Sequence, residues 1–300
     1  MNGVINVYKE KGFTSFDVVA KLRGILKTKK IGHTGTLDPD ATGVLPVCIG
    51  NATKLCDMLT DKNKVYRVVM QLGIVTDTLD ITGKILETHD VTVKRDEVIH
   101  AVNSFVGEIS QIPPMYSAIK VNGKKLYELA RQGIEIERKE RKVIIEKIDI
   151  ENILEDNDGI VKEVIMNVYC SKGTYIRTLC DDIGRKLMCG ACMKELERIK
   201  SGVFDKETAH TLSEIECFAN SGRTGELLIP TDKILDVYNK AVVSEAALIH
   251  LKNGNKLYDS EFVSCPERGK IRVYDSNEVF YAIYEWDMTE EVYRPVKMFL

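Results

Sequence analysis

The 300-residue sequence predicts an α+β fold in which helices and strands mix. Three observations predict it. Alternating apolar and polar residues, the strand period, recur at 3–9, 65–72, 141–153 and 161–170. Stretches with helical spacing lie between them, as at 18–27 and 94–106. From about residue 239 the texture changes to short strands and turns, which predicts a large domain over 1–236 and a small one over 240–300.

The elements follow in order. Residues 3–9 read as a half-buried strand, and Thr14, Ser15 and Asp17 offer capping oxygens to a helix running to about Lys27. A glycine- and proline-rich loop over 31–43 leads into the apolar run 44–49, suited to a buried strand. A short helix is expected at 51–61, then a strand at 65–72 with Tyr66, Val68 and Met70 on one face. Thr76 to Gly83 is a polar hairpin turn, and 94–106 an amphipathic helix. Pro113 and Pro114 forbid regular structure at 111–120, and a basic helix over 123–133 ends at Gly133. Two strands, 141–153 and 161–170, flank an acidic turn. A helix ending near Gly190, a strand over 195–204 and a short helix over 213–219 complete the large domain. The small one should hold strands at 262–264, 270–274 and 279–286.

The composition, 44% hydrophobic and 29% charged, is that of an ordinary globular protein. No apolar run approaches the roughly 20 residues that span a bilayer, and the N-terminus lacks a signal-peptide pattern, so a cytoplasmic location is expected. The eight cysteines read as reduced packing thiols, and Cys189-Gly190-Ala191-Cys192 lacks a second pair at zinc-site spacing. A net charge of −3 does not announce a nucleic-acid binder. Residues 21–30 and 120–142 are nonetheless locally basic, either as solvated faces or as an RNA surface.

Generic signatures of serine hydrolases, nucleotide triphosphatases, zinc proteases and dinucleotide enzymes are missing. An enzyme here is therefore expected to work without metal or cofactor, using a carboxylate, tyrosines and an arginine. Asp38 precedes Pro39, which pushes it out of the helical region and lets its carboxylate project from a turn. Arg177 and Tyr175 sit together in the turn 172–177, and Tyr66 opens a strand. An arginine beside a buried carboxylate keeps it ionised, and tyrosines are suited to stacking on an unpaired base.

The run from Gly32 and His33 through Asp38-Pro39 to Gly43 and Pro46 resembles the signature of the bacterial TruB-type tRNA pseudouridine synthases. The similarity extends in order over 64–68, 73–80, 111–120, 123–127 and 170–177, within nearly all of 3–205. One departure stands at Tyr8-Lys9-Glu10, where the family has Asp-Lys-Pro: the lysine is kept, the turn-fixing proline is not. The resemblance implies a catalytic domain on a central mixed or antiparallel sheet with flanking helices, and isomerisation of uridine 55 in the TΨC loop of tRNA. It implies that Asp38 is the essential acid, Arg177 its partner, and Tyr66 a base-stacking group. Tyr175 and Leu196 line the nucleotide pocket, His33 braces the space left by a flipped base, Asp80 orients the pocket, and Lys9 belongs with the substrate-binding residues. It further implies an RNA-gripping insertion at 111–142 carrying Lys120, Lys124, Lys125 and Arg131, a PUA-like RNA-binding domain over 240–300, and a monomer whose partner is the tRNA T stem-loop. A non-catalytic RNA-binding module and a guide-RNA-dependent synthase are the alternative readings.

Overall fold

Strand β1 (Gly3–Lys9), helix α1 (Ser15–Ile25), β2 (Ile31–His33) and β3 (Thr42–Ile49) form the first unit in a computed structural model. It describes every residue except Asn122, and Lys120 by its backbone alone. Thr14 and Asp17 cap α1 reciprocally, as expected, and β3 is buried along almost its whole length. A 3₁₀ turn and α2 (Cys56–Thr60) lead to β4 (Lys64–Leu72) and the hairpin β5 (Ile74–Thr76) and β6 (Ile85–Thr88). After α3 (Arg95–Asn103) come β7 (Gly107–Gln111), the small hairpin β8 (Lys120–Val121) and β9 (Lys124–Lys125), and α4 (Leu126–Ala130). Strands β10 (Arg141–Glu155) and β11 (Val161–Cys170), α5 (Ile176–Lys186), β12 (Ala191–Ser201) and β13 (Phe204–Asp205) complete the central sheet, followed by α6 (Leu212–Asn220) and α7 (Thr231–Ile234). The C-terminal domain contains β14 (Asn239–Val242), α8 (Leu248–Lys252), β15 (Lys270–Tyr274), β16 (Phe280–Asp287) and β17 (Val292–Met298).

The large sheet has nine strands in the path β1-β3-β12-β4-β11-β10-β7, with β2 on β3 and β13 on β12. Every pairing is antiparallel except the short contact of β3 with β12. One face of β4, β11 and β12 packs under α3 and α5, and β1 and β3 pack against α1 and α6. A third apolar cluster joins the domains: Val4, Val44 and Leu55 meet Ile283 and Phe299.

One expectation for the C-terminal domain is corrected, and one strand is added. Residues 262–264 form no strand, only a bridge between Val243 and Phe262, because the following segment gives its Pro266 and Glu267 carbonyls to the Tyr293 hydroxyl. Conversely β17 is a full strand, and its Pro295 is tolerated because β17 lies at the sheet edge. The basic helix of 123–133 is also shorter than its pattern. Lys124 and Lys125 belong to the hairpin, since Leu126 and Tyr127 donate back to the Ile119 and Ser117 carbonyls. Among the described residues no helix is long and apolar enough to cross a membrane.

Candidate active site

The loop between β2 and β3 presents Asp38, and each of its flanks is tied down. The Ser15 hydroxyl accepts from the Leu37 amide at 2.9 Å. The Pro39 carbonyl accepts from the Gly12 amide at 2.9 Å and from the Lys9 ammonium at 3.0 Å. The Ala41 amide closes a turn onto the Asp38 carbonyl. Asp38 therefore has little backbone freedom, while 40% of its side-chain surface stays open to a ligand.

Arg177, in the first turn of α5, meets this carboxylate. Its Nε lies 3.1 Å from one Asp38 oxygen and its Nη2 3.4 Å from the other. The same guanidinium donates to the carbonyls of Thr78 at 3.0 Å and Tyr116 at 2.7 Å. Its Nη1 lies 3.7 Å from Asp80. One buried arginine thus joins the Asp38 loop to the β5–β6 hairpin and to the base of the 111–142 segment. Asp80 is aimed at Arg177 by its own turn: its Oδ1 accepts from the Thr78 and Thr82 hydroxyls and the Thr82 amide. Leu79 completes that turn at a φ of +63°, a conformation a non-glycine residue holds only under constraint.

The electrostatics refine the expected ionisation of Asp38. Burial pushes its carboxyl above the usual carboxylate range, and Arg177 pulls against that rise without cancelling it. Tyr66 and Tyr175 are both half-buried, and burial raises both phenols, so each keeps its proton. Tyr175 is fixed through its backbone, because the buried Gln111 side chain accepts from its amide and donates to its carbonyl. Leu196, in register with Val68, packs like Tyr66 against the edge of the main core. His33 is kept neutral by burial and by the nearby Arg198. Lys9 lies behind the Asp38 loop. It is wholly buried, and its ammonium donates to the carbonyls of Glu10, Phe13 and Pro39, so it braces the loop and leaves no donor for substrate. Burial pushes it down to about 8.

Among the described side chains, Lys124, Lys125 and Arg131 make no hydrogen bond or ion pair with this cluster. Lys124 and Arg131 are exposed, Lys125 leans on Tyr127, and the Lys120 side chain lies outside the described residues. Cys189 and Cys192 are buried with thiols pushed upward, as packing groups would be.

Sequence reasoning missed Arg198. It is 1% exposed, and it donates to the Val44 carbonyl at 2.6 Å and the Gly35 carbonyl at 3.3 Å, gripping the loop from behind. Its signal was a charge two residues from Leu196, on a strand position of the same parity. Gln111 gave none, because its partners are backbone atoms.

With this geometry in view, the chain matches the family model described as TruB family pseudouridylate synthase (N terminal domain) over residues 23–176. It matches the tRNA pseudouridylate synthase B C-terminal domain over 177–236. The chain belongs to the TruB family of pseudouridylate synthases. The second family model starts inside α5 and takes in β12 and β13, so the seam between the models is not a seam between sheets. TruB-family relatives include tRNA pseudouridine synthase B of Lachnoclostridium phytofermentans, 58% identical over the whole of both chains. That of Clostridium perfringens strain 13 is 51% identical over 96% of each. Among solved structures, a Cbf5-Nop10-Gar1 complex gives a TM-score of 0.75 at 28% identity, covering 99% of this chain and 85% of that one. An H/ACA RNP bound to a substrate RNA containing 2′-deoxyuridine gives 0.73 at 26%, with 99% and 85% covered.

Proposed function

We propose that this TruB-family chain converts uridine 55 in the TΨC loop of tRNA to pseudouridine, with Asp38 as its essential residue. The observation that carries the reading is the Asp38–Arg177 pair at 3.1 Å, set on a loop whose every flank is hydrogen-bonded. The reaction breaks the N1–C1′ glycosidic bond, turns the uracil, and forms a C5–C1′ bond. The C5 proton is lost and N1 gains one, so no net redox change occurs. A carboxylate partly desolvated yet charge-paired is suited to attack on the nucleotide, because Arg177 already replaces part of its hydration while its open side faces the ligand.

The target base lies in a folded loop and must be flipped out to reach Asp38. Tyr66 then stacks on it and faces the C5 proton, Tyr175 and Leu196 wall the pocket, and His33 fills the vacated space. Asp80 fixes Arg177, and the chemistry uses no cofactor. The 111–142 arm with Lys124, Lys125 and Arg131 holds the T stem-loop, and the 240–300 domain is a PUA-like RNA-binding module. The enzyme acts as a cytoplasmic monomer.

The guide-RNA-dependent reading draws on the likeness to the H/ACA RNP structure at 26% identity. The relatives named tRNA pseudouridine synthase B, at 51–58% identity over nearly full length, favour direct action on tRNA. The experiment is conversion of an unmodified tRNA transcript with the modified position mapped, and Asp38→Asn as the discriminating variant. Product at another uridine would overturn the substrate assignment.

A further inference from the structure

We propose that Tyr8 and Glu197 are positioning residues for Asp38, a side-chain staple that fixes β1 to β12 across β3 at the point where the Asp38 loop ends. The inference rests on the reading of Asp38 as the essential residue.

The seam it secures is thin. Strand β3 meets β12 in only two register pairs, Thr42 with Glu197 and Gly43 with Arg198. The backbones touch there: a Cβ on Gly43, at a φ of +108°, would stand 2.2 Å from the Arg198 carbonyl oxygen. Gly43 leaves no side chain to lock the contact, so neighbours must. Successive strand residues point to opposite faces, and here both are used. Arg198 reaches back to the Val44 and Gly35 carbonyls. Glu197 turns the other way, and its Oε1 accepts from the Tyr8 hydroxyl at 2.8 Å and from Lys206 at 2.7 Å.

Tyr8 also governs its neighbour. It is paired in register with Val44, and the next residue, Lys9, sends its ammonium to the Pro39 carbonyl beside Asp38. The residue after Lys9 is Glu10, so no proline ring fixes this exit from β1. The hydrogen bond from Tyr8 to a carboxylate only 16% exposed supplies that rigidity by another route. Both grips on the loop, Lys9 on Pro39 and Arg198 on Gly35, then start from one stapled corner.

The test is single-turnover conversion of saturating tRNA transcript by Tyr8→Phe, with tRNA affinity and thermal stability measured in parallel. The expected result is a chemical rate down about tenfold, or about 1.4 kcal/mol, with affinity unchanged. Glu197→Gln, which keeps an acceptor for Tyr8, should retain most of the rate, whereas Glu197→Ala should match Tyr8→Phe. The double variant Tyr8→Phe/Glu197→Ala should lose no more than either alone. A wild-type rate in Tyr8→Phe, or a loss seen only in affinity, overturns the proposal. Absence of product from the unaltered chain would instead overturn the assigned reaction.

Discussion

At the scale of single residues, the site is governed by the opposition of burial and charge at Asp38. Its raised carboxyl pKa means the folded chain binds this proton more tightly than the unfolded one. The group thus stabilises the fold below the ordinary carboxylate pKa, and that contribution is lost as pH rises through the folded value. Ionised Asp38 is therefore a cost to the fold at neutral pH, which Arg177 reduces. It follows that Arg177→Met should raise the Asp38 pKa further. The acid limb of the turnover–pH profile should then move to higher pH, while Arg177→Lys should move it less. A limb that stays in place or moves to lower pH would contradict the pairing. Asp38 and Arg177 were legible in the sequence because each lies in an uninterrupted motif with unusual backbone residues. The bracing role of Lys9 was not, because its three partners are carbonyls and carry no side-chain signature.

At the scale of elements, periodicity located the six long strands β1, β3, β4, β10, β11 and β12, but not the short strands β2, β7 and β13, which are too brief to show a period, and it failed where local rules were overridden. The pattern over 123–133 is helical, but Lys124 and Lys125 pair with β8 because returning hydrogen bonds from Leu126 and Tyr127 close a hairpin there. The arm consequently presents its lysines on a turn next to the helix. If the arm grips phosphates, Lys124→Ala/Lys125→Ala should weaken tRNA binding and flatten the dependence of log affinity on log salt by roughly 1 per lost phosphate contact. A salt dependence equal to that of the unaltered chain would make these lysines a solvated surface only. Strand β17 escaped notice for a related reason: a proline inside it argues against a strand until its edge position is known.

At the scale of the whole molecule, the change of texture near residue 239 announced a second sheet but not how firmly it is attached. The junction is built from residues far apart in sequence, so no local pattern encodes it. Ile283, fully buried on β16, lies in one cluster with Val4, Val44 and Phe299, and Asn51 donates to the Phe299 carbonyl. Ile283→Ala should cost about 2–5 kcal/mol, and because the cluster is shared, thermal unfolding should remain one transition at lower temperature. Two separated transitions would show that the domains are independent.

In the proposed reaction the Asp38 carboxylate does the chemistry while the rest of the chain holds it and the RNA. Asp38→Asn keeps the size of the side chain and removes its charge. Single-turnover assay of this variant on an unmodified tRNA transcript should give no pseudouridine at uridine 55, with tRNA affinity retained. Product formed at a rate comparable to the unaltered chain would contradict the account.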